Sequence, residues 1–226
     1  MKNLDLYAKI EALIGFDEAY EELYEIYLKK LKTQSIKTIL DLGCGNGNFL
    51  LKLQKTYETL GIDLSQSMVD IAQSKGVNAK RIDLEKLDQK FDSIVAVGDV
   101  LNYIKPTTIK EFFKNIENAL ESGGVFICDL NTLHGFEDVT AGSMVIDKDD
   151  EFMSIDAEFF ADVLRSEIVY FQRDGECFKK QKEAIFQYYH SDEELKNATS
   201  LKLIESEEIC MFSDESDKRL FVFAKS

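Results

Sequence analysis

The chain has 226 residues, of which 45% are hydrophobic, and its 42 acidic and 27 basic side chains give a formal net charge of −15. This length suits one domain with a sizeable core. A chain this acidic is a poor partner for nucleic acid or for an anionic membrane, because neutralising phosphates takes clustered lysine and arginine. No apolar run approaches the roughly 18 residues of a membrane span.

Cysteine and histidine usage points to a reduced compartment. The four cysteines are far apart, at Cys44, Cys128, Cys177 and Cys210, and the chain has two histidines. This is neither a disulfide framework nor a zinc site, so the sequence predicts a cytoplasmic protein without a structural metal.

Elements in chain order begin with a helical segment, predicted over residues 1–35 because apolar and tyrosine side chains recur there at three- and four-residue steps. Short apolar runs then alternate with amphipathic stretches. The predicted strands are 36–42, 59–64, 77–82, 91–97 and 125–130. The predicted helices are 49–57, 65–75 (with Ser65 as N-cap) and 106–120. Such alternation indicates βαβ units and a parallel sheet.

After Asn131 the pattern changes to strand-like alternation over residues 142–190, with a hairpin turn at Asp174-Gly175. A short helix at 192–198 and strands at 201–209 and 219–224 follow. We expect an α/β fold: a Rossmann-like open sheet with helices on both faces, an antiparallel last strand and a small antiparallel β insertion. The expected units are a helical cap (1–35), a cofactor-binding core (36–135 and 191–226) and an insertion (136–190) that serves as lid, substrate element or dimer element.

A glycine cluster, GCGNG, joins the first strand to the next helix. Gly43, Gly45 and Gly47 allow a tight turn that a ligand can approach closely, and a helix N-terminus offers free N–H groups. Asp63 ends the second strand, placed to accept hydrogen bonds from ribose hydroxyls. A dinucleotide loop would need glycine at position 48, where this chain has Asn48, so a nicotinamide-dependent oxidoreductase is disfavoured. A glycine turn without a ligand is the alternative reading.

ILDLGCGNGNF followed by GIDLSQSMVDIA resembles motifs I and II of the class I S-adenosylmethionine-dependent methyltransferases. RIDLEKL, FDSIVAVGDVLNYI and LESGGVFICDLNT are similar to later motifs of that family, in the same order. VYFQRDGECFKKQKE and YYHSDEEL resemble its small bacterial members, which carry an antiparallel insertion after strand five. The chain departs from that branch at Val100, after Asp99, and lacks its Gly-Phe before strand six. These departures leave the substrate class open.

The resemblance implies S-adenosylmethionine as the cofactor. The sulfonium would lie near Asp41 and the glycine loop, the methionine carboxylate would meet loop N–H groups and Tyr7, and Asp63 would hold the ribose. Asp83, Leu84 and Met68 are implied at the adenine. The full set of expected cofactor-binding residues is Tyr7, Asp41, Gly43, Cys44, Gly45, Gly47, Asp63, Leu64, Met68, Asp83, Leu84, Gly98 and Asp99.

Candidate catalytic and substrate groups follow strands four and five, at the edge where open α/β sheets bind ligands. The catalytic candidates are Asp99, Tyr103 and His134, and the substrate-binding candidates are Asn102, Tyr103, Asn131 and His190. Each has a structural alternative: Asp99 as a loop cap, Tyr103 as a packing aromatic, and the histidines as ordinary surface residues.

The sequence thus favours a methyltransferase acting by in-line displacement on nitrogen or oxygen of a small-molecule acceptor. The alternatives are a protein that binds S-adenosylmethionine or S-adenosylhomocysteine without catalysis and, disfavoured by the acidic charge, an RNA methyltransferase. Monomer and homodimer both remain open.

Overall fold

The computed structural model describes residues 5–32 and 35–226. The N-terminal segment forms two helices, α1 (Asp5–Ile14) and α2 (Asp17–Lys32), where the sequence predicts one stretch over 1–35. Gly15 lies between them with φ +77°, a left-handed conformation that ends a right-handed helix. Residues 1–4 and 33–34 of the predicted stretch lie outside the described residues.

Seven strands form the main sheet, and their spatial order is 10-11-5-4-1-2-3. They are β1 (Thr38–Leu42), β2 (Glu58–Asp63), β3 (Ala79–Arg81), β4 (Phe91–Ala96), β5 (Leu120–Asn131), β10 (Lys202–Ile209) and β11 (Lys218–Ala224). Strands β1 to β5 pair in parallel, whereas β11 is antiparallel to both β5 and β10. The expected Rossmann-like sheet with an antiparallel last strand is confirmed.

Helices cover both faces of this sheet. They are, after α2, α3 (Asn48–Leu53), α4 (Gln66–Ser74), α5 (Ile109–Ala119) and α6 (Asp192–Ala198). Phe113 of α5 and Leu195 of α6 pack with Phe126 of β5 on one face. Tyr27 of α2 and Phe49 of α3 belong to the core of the opposite face. Both faces of the central strands are therefore buried, which is why their sequences are continuously apolar.

The boundaries of four elements differ most from the sequence prediction. Strand β5 begins at Leu120 rather than at residue 125. Helix α5 begins at Ile109 rather than at residue 106, because residues 105–108 form a turn closed by the Thr108 N–H on the Lys105 carbonyl at 2.9 Å. Helix α3 ends at Leu53 instead of residue 57, and β3 has three residues instead of six.

The insertion is a separate antiparallel sheet of β6 (Gly142–Asp147), β7 (Glu151–Phe160), β8 (Val163–Asp174) and β9 (Cys177–Tyr188). The predicted Asp-Gly hairpin joins β8 to β9, with Gly175 at φ +64°. One face of this sheet packs on α1, where Ile10 is buried with Met153 and Ile168. Helix α1 is thus packed on the insertion, whereas α2 is packed on the main sheet.

Within residues 5–32 and 35–226, the structure contains no helix that has both the length and the apolar character of a membrane span.

Gly61 of β2 lies directly under the glycine loop, and we predict that Gly61→Ala destabilises the protein. An added Cβ would lie 2.8 Å from the Cys44 sulfur and would also overlap Leu50. Overpacking of this kind costs about 1–3 kcal/mol. The chain has no tryptophan, so urea unfolding is followed by circular dichroism. An unchanged unfolding midpoint would show that β2 and the loop are not in the close contact described.

Candidate functional site

A cavity of about 880 Å³ lies at the carboxyl edge of the main sheet. Its floor is the ends of β1, β2, β4 and β5, and its walls are α1, α2 and the inner face of the insertion sheet, including Ile155, Ile168 and Gln187. This is the position where open α/β sheets bind ligands. The volume falls within the usual range for small-molecule sites, roughly 300–1,000 Å³.

The glycine loop is held against β2 by its own backbone. The N–H groups of Gly43 and Cys44 both donate to the Ile62 carbonyl, at 2.8 and 3.1 Å. The Gly45 N–H donates to Asp63 Oδ2 at 3.0 Å, and the Gly47 N–H donates to the Cys44 carbonyl at 3.0 Å. These four N–H groups are therefore engaged within the protein, although the sequence analysis expected loop N–H groups to receive a methionine carboxylate.

The glycines of the loop differ in what surrounds them. A Cβ on Gly43 would lie 2.8 Å from a Val100 methyl, and one on Gly47 would lie 2.8 Å from Ala72, whereas one on Gly45 meets nothing within 4 Å. Gly43 and Gly45 line the cavity. Gly45 thus presents bare backbone to open space, while Gly43 and Gly47 serve close packing.

Asp63 ends β2 and faces the cavity. Its Oδ1 accepts the Ser65 N–H at 2.8 Å, and its Oδ2 accepts the Gly45 N–H. Burial raises the pKa of Asp63 above its ordinary value, and these backbone hydrogen bonds lower it in part. A carboxylate accepts about four hydrogen bonds, so Asp63 keeps capacity for a ligand hydroxyl.

Asp41 of β1 lines the cavity but is only 2% exposed, and its Oδ2 is buried without a hydrogen-bond partner. Burial raises the pKa of Asp41 to about 7, and the nearby charge of Asp63 adds to the effect. Burying an unpaired carboxylate is costly, and a cation beside it would remove the cost. Asp41 therefore fits a positively charged ligand group.

Asp99 follows β4 in a left-handed conformation, with φ +66°. Its carboxylate accepts a hydrogen bond from Lys218, a lysine that sequence reasoning missed. Lys218 begins β11 and is paired with Asn131, the last residue of β5. Because β11 is antiparallel, its first residue lies at the same edge as the carboxyl ends of the parallel strands. The sequence signal that could have identified Lys218 is a basic residue at the start of an apolar, antiparallel last strand.

Tyrosines from three elements surround this edge. Tyr7 of α1, Tyr20 and Tyr24 of α2, and Tyr103 after β4 line the cavity. Burial raises the pKa of Tyr7, Tyr20 and Tyr103, and the charge of Asp99 raises all three further. The hydroxyl groups of these three tyrosines are therefore neutral and can donate hydrogen bonds. Tyr20 and Tyr24 are not among the site residues predicted from the sequence, where tyrosines of this segment indicate only a helix.

His134 lines the cavity with both ring nitrogens engaged. Nδ1 is 3.0 Å from Asp138 Oδ2, and Nε2 is 3.0 Å from the Ser213 hydroxyl. In order to act on a methyl acceptor, His134 would have to give up its hydrogen bond to Ser213.

The cavity is also lined by Met68, Asp83 and Leu84, the residues expected at an adenine, and by Leu64 and Ile82. Asp83 also accepts the Glu85 N–H, so it caps the short turn that carries Leu84.

Three expected site residues do not line the cavity. Gly47 packs against α4 through Ala72. Asn102 is fully buried and bridges the two sheets, because its Nδ2 donates to the Tyr188 carbonyl and its Oδ1 accepts the Asn131 N–H. His190 is buried with Nε2 2.9 Å from the Ile104 carbonyl, and burial lowers its pKa. Each of these three therefore has a packing or hydrogen-bonding role in the structure.

Comparisons with known proteins agree with this geometry. Residues 39–124 match the methyltransferase domain family. YqeM of Bacillus subtilis, provisionally named a methyltransferase, is 30% identical over 158 residues, which cover 62% of this chain and 64% of YqeM. The chain therefore spans less than two thirds of that relative.

Solved structures match over nearly the full length. An S-adenosylmethionine-dependent methyltransferase from Clostridium acetobutylicum is 25% identical, with a TM-score of 0.81 over 98% of this chain and all of that one. An S-adenosylmethionine-bound amino pentose methyltransferase from Micromonospora echinaspora is 18% identical and shares the fold, with a TM-score of 0.70 over 100% of both chains. Residues 39–124 therefore match a methyltransferase domain, and the chain has the fold of solved S-adenosylmethionine-dependent methyltransferases, the class that its motifs indicate and that uses S-adenosylmethionine as cofactor.

The residues present fit that cofactor. An unpartnered buried carboxylate at Asp41 suits its cationic amino-acid half, bare backbone at Gly45 leaves room for close approach, and Asp63 offers acceptor capacity for ribose hydroxyls.

We predict that Asp41→Asn weakens S-adenosylmethionine binding by about tenfold or more at pH 8 while it stabilises the empty protein. The folded pKa of about 7 lies above the unfolded value of roughly 3.9. The stability contributed by Asp41 is therefore complete below about pH 4 and is lost as the pH rises through 7. The neutral amide escapes this loss.

Calorimetry with S-adenosylmethionine and urea unfolding at pH 4 and pH 8 measure both effects. Unchanged affinity together with a less stable variant at pH 8 would contradict the role of Asp41.

We predict that Asp63→Asn weakens S-adenosylmethionine binding by roughly ten- to a hundredfold, since a hydrogen bond to a charged group contributes about 1.5–3 kcal/mol. The matched control is Asp70→Asn, which removes an exposed carboxylate of α4 that accepts only from Gln66 among the hydrogen bonds described. The same calorimetry checks both variants. Equal affinities for the two would exclude Asp63 from the site.

Proposed function

We propose that this protein transfers the methyl group of S-adenosylmethionine to the nitrogen of a small-molecule amine. The observation that carries the proposal is the charge of the cavity wall. Among the described residues that line it, lysine and arginine are represented by Lys218 alone. The acidic lining residues are Glu11, Asp41, Asp63, Asp83, Asp99, Asp138 and Asp217.

This charge favours one acceptor class over others. An acidic wall attracts amines and repels carboxylates and phosphates, by the electrostatic focusing that operates in charged clefts. The amino pentose methyltransferase with the same fold acts on an amino sugar by its name, which supports a small amine here. An oxygen acceptor remains the second candidate, because Tyr103 and His134 can also orient a hydroxyl.

In the proposed complex, Asp41, Gly43, Cys44 and Gly45 surround the amino-acid half of the cofactor, with Tyr7 beside it. Asp63 binds the ribose, Gly98 and Asp99 contact the cofactor from the β4 side, and the remaining contacts are to the base. Those base contacts are Leu64, Met68, Asp83 and Leu84. The support is that all of these residues line one continuous cavity.

When bound, the cofactor supplies an activated methyl group on a sulfonium, so the protein needs no covalent nucleophile. Its residues position the acceptor nitrogen in line with the methyl–sulfur bond, which can contribute about 7–11 kcal/mol to the rate acceleration. The inner face of the insertion sheet, with Ile155, Ile168 and Ile185, excludes water from this point. We propose the insertion as the lid and specificity element.

The acceptor end of the cavity is proposed to lie between the two sheets. Asp99, Tyr103, Asn131 and His134 each line the cavity, which supports this placement. Asp99 is the proposed proton acceptor. Tyr103 and Asn131 are proposed to orient the acceptor, and His134 to contact it at the rim.

Methyl transfer from labelled S-adenosylmethionine to a panel of amino sugars and other small amines, each paired with its hydroxyl analogue, tests the proposal. We expect labelled amines and roughly tenfold less label on the hydroxyl partners. Asp41→Asn serves as the control with impaired cofactor binding. Labelling of the hydroxyl compounds would show that the acceptor atom is oxygen. Tight cofactor binding without methylation of any compound would favour a non-catalytic binding protein. A cytoplasmic location and the oligomeric state stay predictions.

A further inference from the structure

A buried ion cluster lies under the acceptor end of the cavity. Lys218 is 2% exposed, and its Nζ donates to the Asp99 carboxylate and to Asn131 Oδ1 at 3.1 Å. The same Nζ lies 3.6 Å from Asp129 Oδ2. One ammonium group therefore faces the buried carboxylate of Asp129 and the partly buried carboxylate of Asp99.

The two carboxylates have different surroundings. Asp129 is fully buried, and its Oδ1 accepts the Tyr27 hydroxyl at 2.6 Å and the Gly98 N–H at 2.8 Å. Its Oδ2 accepts the Asp99 N–H at 3.2 Å. Both oxygens of Asp129 are thus used by hydrogen bonds within the protein and Asp129 does not line the cavity, whereas Asp99 does.

Charge balance makes Lys218 the deciding member of the cluster. Burial raises the pKa of Asp99, the charge of Lys218 lowers it in part, and Asp129 raises it again. Without the ammonium group, two like charges would share a water-poor site, and one of them would take up a proton. The titratable and charged groups that face Asp99 are Lys218, Asp129, Tyr7, Tyr20, Tyr27 and Tyr103.

We propose that Lys218 is a positioning residue, which holds the Asp99 carboxylate ionised and fixed in direction so that Asp99 receives the proton of the acceptor nitrogen. The cationic amine first transfers one proton to Asp99, which frees the nitrogen lone pair. The lone pair then forms the new N–C bond, the methyl–sulfur bond breaks, and its electron pair stays on sulfur as a neutral thioether. This inference rests on the proposed function for the identity of the acceptor.

The cluster also explains why one lysine is present in an acidic wall. Two carboxylates and one ammonium leave a net charge of −1, so the cluster still attracts a cationic amine. At the same time, Lys218 prevents one of the two carboxylates from taking up a proton. Lys218 is therefore proposed to tune an acid rather than to bind substrate.

The test variant is Lys218→Met, which keeps the length of the side chain and removes its charge. The matched control is Lys202→Met, at an exposed position on the neighbouring strand β10. The direct readout is the titration of the Asp99 carboxyl carbon by NMR in aspartate-labelled protein, with Asp99→Asn providing the assignment. It requires neither cofactor nor acceptor.

We expect Lys218→Met to raise the titration midpoint of Asp99 by about one pH unit or more and Lys202→Met to leave it unchanged. On an amine found by the panel, the acidic limb of the kcat/KM profile should shift by the same amount, with kcat reduced about tenfold and cofactor affinity within about twofold.

A second variant covers the case in which Lys218→Met fails to fold. Lys218→Met with Asp129→Asn removes the like charge together with its counter-ion, so the proposal expects a folded protein whose Asp99 midpoint returns toward the wild-type value. An Asp99 midpoint that Lys218→Met leaves unchanged, or that stays high in the double variant, overturns the proposal. These titrations decide the role of Lys218 even where no amine is methylated and the proposed function itself fails.

Discussion

Burial of carboxylates at one edge of a parallel sheet is the constraint on which this site depends. Asp41, Asp63, Asp99 and Asp129 all lie at or near the carboxyl ends of the strands, under cover of α1, α2 and the insertion. Such burial is costly unless each charge is compensated. Asp63 and Asp129 are compensated by N–H and O–H donors, and Asp99 by Lys218. Asp41 Oδ2 is buried without a hydrogen-bond partner, which suits a cationic ligand group.

The backbone around the glycine loop serves this arrangement. The loop N–H groups are used to bind β2 and to fix the Asp63 carboxylate, so the direction of Asp63 is set before any ligand arrives. Preorganised polar groups of this kind cost little reorganisation on binding. Gly61 is part of the same constraint, since a side chain there would separate the loop from β2.

Much of the fold was predictable because the signals are local. Strand–helix alternation, the glycine loop and the Asp174-Gly175 hairpin each depend on residues close in sequence, and the sheet follows from right-handed crossovers. Lys218 and Tyr20 were missed because they reach the site from a distant strand and helix, and only the topology brings them there. The buried positions of Asn102 and His190 were not predictable, because spacing after a strand does not tell whether a side chain faces the cavity or the second sheet.

The most direct test of the central claim is a crystal structure of the protein with S-adenosylhomocysteine bound. The account predicts ribose hydroxyls on the Asp63 carboxylate and the amino group of the ligand beside Asp41, within the cavity at the carboxyl edge of the sheet. A ligand whose sugar lies away from Asp63, or whose amino group lies away from Asp41, would contradict it.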